Sequence, residues 1–247
     1  MGVRPPRKPD DIFPELVADL QQTLGDDLLG VAVFGSAAGE RYRKDLSDIN
    51  LMLLLSPEAA RRPSRLIPWF DKWRSAAVAP PVLVTPEYLE RSRDVFPIEL
   101  IVMAAEHRCL HGRDPLAGLE VAPEHLRLQL ERELKAKLMA LRTHLVASGG
   151  ARRALLDLCR RAWPAFGALF KAYLHLTRGH FPNHPHQALE ELAGAGVQTH
   201  FLSQMAQAAA GQTKPNRLQL RELIEGVIFE LETLSREVDH LSVDQGG

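Results

Sequence analysis

Residues 31–55 read VAVFGSAAGERYRKDLSDINLMLLL. Two apolar runs of strand length flank a polar loop, and both are expected to be buried strands. The first ends in Gly35-Ser36, and the second opens on Asp48-Ile49-Asn50. A glycine at a strand end lets a ligand approach the backbone closely, and the following amides and the Ser36 hydroxyl can donate to phosphate oxygens. A carboxylate at the head of the neighbouring strand, Asp48, can hold Mg²⁺ beside those phosphates, because that ion takes carboxylate and phosphate oxygens together. Arg41, Arg43 and Lys44 lie between the two pieces. They suit either a loop that neutralises a triphosphate or a solvated charged loop.

Outward from this stretch, residues 10–25 carry Ile12, Leu16, Leu20 and Leu24 at a spacing of four and end in Gly25, an amphipathic helix with a glycine stop. Downstream, residues 63–76 read as helix, 80–85 (PPVLVT) as a short strand and 86–96 as a short helix opening on proline. Residues 97–103 (PIELIVM) read as a further strand. This alternation indicates an α/β domain built on one sheet.

Beyond about residue 118 the pattern changes to helix alone. Leu126, Leu130, Leu134, Leu138, Leu141 and Leu145 form one stripe, and a long helical pattern over 151–179 carries Pro164 as an expected kink. Two shorter helices, 186–196 and 199–211, each stop at glycine. The last pattern repeats apolar residues at Leu220, Leu223, Val227, Leu231, Leu234, Val238 and Leu241, which suits an internal core or a dimer seam. The fold class is therefore α+β: a Pro-rich disordered tail over 1–10, a mixed-sheet domain over 11–118 and a helical bundle over 119–247. Residues 242–247 read as a frayed end.

The chain has 247 residues, 45% apolar and 25% charged, with a net charge of −1. That near-balance argues against bulk nucleic-acid binding. Two cysteines without a CxxC pair make no disulfide framework. No secretory leader and no apolar run of membrane-spanning length is found, so a soluble cytoplasmic protein is expected, monomer or homodimer.

Gly35-Ser36, eleven intervening residues and Asp48-Ile49-Asn50, set in apolar strands, resemble the nucleotidyltransferase fold of the polymerase-beta type. An α/β first half, then LHGRDPL at 110–116, then a helical bundle is similar to the aminoglycoside adenylyltransferases and kanamycin nucleotidyltransferases. The resemblance implies Mg²⁺-dependent transfer of a nucleoside monophosphate from an NTP, expected to be ATP, to a hydroxyl of a small molecule or a protein. Gly35, Ser36, Arg43 and Lys44 would bind the nucleotide, and Asp48 would hold the metal.

The family pattern is incomplete here. Asn50 stands where a second acid is expected, and an amide offers an oxygen but no charge to a metal pair. The strand matching PPVLVT, where the third acid belongs, has no carboxylate. Glu99, one expected strand later, is the substitute. Two functions stay open: a transferase using Asp48, Asn50 and Glu99, or a catalytically inactive domain that binds nucleotide or acts as a scaffold.

Other groupings carry less. His180, His184 and His186 lie in a Pro-broken segment, and Arg178 with His184 matches an Arg-x5-His spacing similar to HEPN ribonucleases. His107 and His111 would share a helix face if their segment were helical. Trp69 and Trp73 read as a core face, and Cys109 and Cys159 as buried small hydrophobes.

Overall fold

Strand β1 (Leu28–Phe34) turns Val31 and Val33 to one face of a sheet and Leu29 and Phe34 to the other. Strand β2 (Asn50–Leu55) does the same with Leu51, Leu53 and Leu55 against Met52 and Leu54. Burial of both faces explains why these runs are apolar almost throughout. The computed structural model to which they belong describes residues 5–44, 46–182 and 184–241. The expected frayed end at 242–247, and residues 1–4 of the expected disordered tail, lie outside these.

Strands β3 (Val82–Val84) and β4 (His107–Gly112) complete a mixed sheet of order β3-β2-β1-β4. β1 is antiparallel to β2 and β4, whereas β3 runs parallel to β2. Helix α1 (Phe13–Leu24) covers one face, after a short 3-10 turn at Pro9–Asp11, and stops at Gly25, whose φ is +58°. After a single turn, α2 (Pro57–Ala60), helix α3 (Ile67–Trp73) joins α1 on that face. Trp69 and Trp73 are buried there, and the Trp73 indole donates to Asp19 at 2.9 Å. Helix α4 (Pro86–Arg91) is capped by the Thr85 hydroxyl, which accepts from the Tyr88 amide, and packs Leu89 on the opposite face.

Two expectations are corrected here. Residues 97–103 do not form a strand; they lie in helix α5 (Pro97–Ala105). His107 and His111 are not on a helix, since both belong to β4. Helix α5 starts on a proline, which favours a first helical position. The Ile98 amide is capped by Gln129 Oε1 at 2.8 Å, from 31 residues away.

The rest is helical: α6 (Pro123–Ala147), α7 (Arg152–Arg178), α8 (Pro185–Gly194), α9 (His200–Ala209) and α10 (Arg217–His240). The apolar stripes face inward: Leu126 to Leu141 on α6 and Leu220 to Val238 on α10 are buried. Pro164 sits inside α7, and Phe166 and Phe170 pack with ring centroids 6.1 Å apart. Glu230 of α10 is 2% exposed and accepts from the Phe201 and Leu202 amides at 2.8 Å each, so a buried carboxylate caps α9 from a neighbouring helix. Close packing divides the chain into a sheet unit, 1–95 with 100–120, and a helical unit, 96–99 with 121–247. Among the described residues no helix is long and apolar enough to cross a membrane.

Candidate functional site

Register decides what meets at the end of the sheet. Phe34, last in β1, pairs with Asn50, first in β2. The chain then leaves β1 through Gly35 into a 3-10 turn, Gly35–Ala38, while Asp48 sits just ahead of β2. Gly35 has φ +74°, a left-handed conformation that glycine adopts without steric cost. A Cβ there would stand 3.8 Å from the Asn50 side-chain nitrogen, so the glycine turn and the amide are neighbours.

The turn is held from the far side of β1. The Gly35 amide donates to the Glu106 carbonyl at 2.8 Å, and Glu106 directly precedes β4. The Glu106 carboxylate also pairs with Arg41, whose Nε donates to Oε1 at 3.1 Å. Gly39 lies under that pair, since a Cβ at 39 would come within 2.9 Å of Glu106 Oε1. Burial lowers the pKa of Arg41. Arg41 is therefore committed to the loop's own architecture, and Arg43 and Lys44 are the exposed cations beside it. Neither makes an ion pair with another described residue, although the Arg43 amide donates to Ser47 Oγ at 3.1 Å.

Asp48 is exposed, and its carboxylate has no hydrogen bond or ion pair among the described residues. Ser36 and Asn50 are half-buried, with side chains likewise without a hydrogen bond among them. A charged oxygen pair, a hydroxyl and an amide thus remain available at one edge of two strands, next to a glycine turn. That set can bind an oxyanion and a hydrated cation.

It does not make a metal pair. Among the described residues no three His, Cys, Asp or Glu side chains are grouped to hold a metal ion. β3 consists of Val82, Leu83 and Val84 and offers no carboxylate. Glu99 accepts from Gln129 Nε2 at 2.7 Å and belongs with residues 96–99 to the helical unit. Bridging carboxylates hold two cations a few ångströms apart, and one carboxylate beside a neutral amide does not fit that role. A single Mg²⁺ that keeps water and phosphate ligands needs only one or two carboxylates, which Asp48 fits.

Glu106 is not marked as a site residue by the sequence, and His107 is marked only through its spacing of four from His111. His107 pairs with Phe34, and its ring lies between the Ala104 carbonyl, 2.7 Å from Nδ1, and Asp114 Oδ2, 3.1 Å from Nε2. Asp114 Oδ1 also accepts from the Leu116 amide at 3.0 Å, which pins the loop after β4. Gly39 is the one sequence signal for Glu106, and its meaning depends on that partner 67 positions away.

The other groupings are structural. His180 meets Glu191 at 3.3 Å, and His186 packs on Trp163 with centroids 5.5 Å apart. Cys159 is fully buried, and burial pushes its thiol up to about 11. Cys109 is half-buried rather than buried, and burial followed by the nearby Asp114 charge raises its pKa too.

No protein-family model matches the chain, and no curated protein matches its sequence. In fold, it is similar to spectinomycin adenyltransferase AAD(9) from Enterococcus faecialis, whose crystal structure holds ATP and spectinomycin. The two share 13% identity at a TM-score of 0.50, over 89% of this chain and 98% of the other. The likeness is one of fold.

Proposed function

We propose that the sheet unit binds a nucleoside triphosphate, ATP by expectation, at the Gly35–Ala38 turn and Asp48, and that it does not transfer the nucleotidyl group. The observation that carries this reading is the make-up of the β2 head: one unpaired carboxylate, Asp48, and one amide, Asn50, beside a left-handed glycine turn. Fold likeness to an adenyltransferase supports nucleotide binding, and the acid set argues against transfer.

Each residue has a definite part. The turn amides and Ser36 face the phosphate oxygens, Arg43 and Lys44 offset their charge, and Asp48 takes the Mg²⁺ that travels with the nucleotide. Asn50 donates or accepts one neutral hydrogen bond in place of a second charge. Glu106 keeps the turn in place through Gly35 and Arg41. A protein of this kind acts as a nucleotide-dependent scaffold or sensor.

Calorimetric titration of ATP with Mg²⁺ into the wild type and Asp48→Ala tests it. Saturable binding that weakens at least tenfold in Asp48→Ala supports the reading. Equal affinity in both proteins removes Asp48 from the site.

A further inference from the structure

In the helical unit, the turn between α6 and α7 and the first turns of α10 border an open cavity of about 690 Å³. Arg217 and Arg221 line it from α10, together with Leu145, Gly149, Gly150 and Leu218, and no acidic side chain does. The two arginines are one helical turn apart and so share a face. Arg217 has no ion pair among the described residues, and the acid nearest Arg221, Glu225, is 4.0 Å away. Arg152 Nε donates to the carbonyl of Pro215, two positions before Arg217, at 2.9 Å, a neutral partner.

Several cations on α6 of the same unit are matched, as in Arg127 and Lys135 with Glu131, Lys137 with Glu133, and Arg142 with Glu232. Like charges on one face repel one another, and no acidic side chain among the lining residues offsets Arg217 and Arg221 inside the cavity. Gly149 and Gly150, in the turn after α6, line the cavity beside Arg217. They have φ of +55° and +70°, and a Cβ at 150 would stand 3.2 Å from Arg217 Nη2. Leu145 is half-buried and Leu218 is 52% exposed, so apolar surface adjoins the guanidinium pair.

We infer that this cavity binds a phosphate monoester carried on an apolar body. Two guanidinium groups on one face suit the divalent, multi-oxygen head of a phosphate, because each can present paired N–H donors. The leucines suit the body, and the volume falls within the roughly 300–1,000 Å³ range of small-molecule sites. The site is separate from the turn at Gly35, which lies in the sheet unit.

The probe is 1-naphthyl phosphate, titrated calorimetrically into the full chain, with 1-naphthol and inorganic phosphate as its two halves. The expected result is one saturable site, tighter for the ester than for either half and weakened by salt. Arg217→Gln combined with Arg221→Gln lowers the affinity at least tenfold, and so does Leu218→Asp, which places an acid on the exposed wall. Asp48→Ala leaves the affinity unchanged. Absence of binding to the wild type, an affinity unchanged in both cavity variants, or a loss confined to Asp48→Ala overturns the inference.

Discussion

The Asn50 side-chain nitrogen lies 3.8 Å from the point that a Cβ at Gly35 would occupy. The amide and the glycine turn are therefore one site, brought together by the pairing of Phe34 with Asn50. Asn50→Asp changes one atom type there and supplies the missing charge beside Asp48. The expected outcome is tighter Mg²⁺-dependent ATP binding by at least threefold, read by calorimetry. Pyrophosphate release in this variant, if detected, identifies the amide as the defect that silences transfer.

Acid sensitivity centres in part on Asp27. Its carboxylate accepts from the Ser56 hydroxyl and from Arg65, each at 2.6 Å, and these bonds, Ser56 first, hold its pKa below the ordinary 3.8. A carboxylate with a lowered folded-state pKa contributes stability above its unfolded value and loses it as pH falls through the folded one. Asp27→Asn therefore has a lower Tm than wild type at pH 7, and the gap narrows below pH 3.8. Thermal melts across pH 2.5 to 7 check this, and a gap that widens in acid contradicts it.

Close approach of α9 and α10 depends on Gly226. A Cβ at that position would meet the Phe201 ring at 2.3 Å, so Gly226→Ala forces the helices or the ring to move. Overpacking of this kind costs about 1–3 kcal/mol. Phe201→Ala removes the obstacle, so the double variant is more stable than the sum of the two single losses implies. Urea unfolding of the four proteins measures the coupling, and simple additivity sinks the assignment.

The two thiols differ in reach. Cys159 is fully buried with its pKa raised to about 11, whereas Cys109 is half-buried on β4. Thiolate is the reactive form, so native protein at pH 8 alkylates at Cys109 first and leaves Cys159 protected until unfolding. Peptide mass spectrometry after a timed iodoacetamide pulse reads this directly. Equal labelling of the two would mean that the α7 core opens readily.

What the sequence revealed and what it hid follow from locality. β1, β2 and the glycine turn were legible because both faces of those strands are buried and Gly35 punctuates their end. The stripes of α6 and α10 and the pair Trp69–Trp73 were legible for the same reason, one periodicity per buried face. Helix α5 was misread because Ile98, Ile101 and Val102 are β-branched, and its cap, Gln129, lies 31 residues on. β4 was missed because it is an edge strand of His, Arg and Cys, with no apolar run to mark it. Of the candidate site, Asp48 and the turn are singled out by the strand-end pattern, and Asn50 by its place in the resembled motif. Glu106 is not, because its role rests on Gly35 and Arg41 across the sheet, 71 and 65 positions away.

Binding without transfer is decided in one sample: ATP and Mg²⁺ with the wild-type protein, followed for binding heat and for pyrophosphate at once. The expected result is saturable binding and no pyrophosphate above the buffer rate. Sustained pyrophosphate release, or the absence of any binding heat, contradicts it.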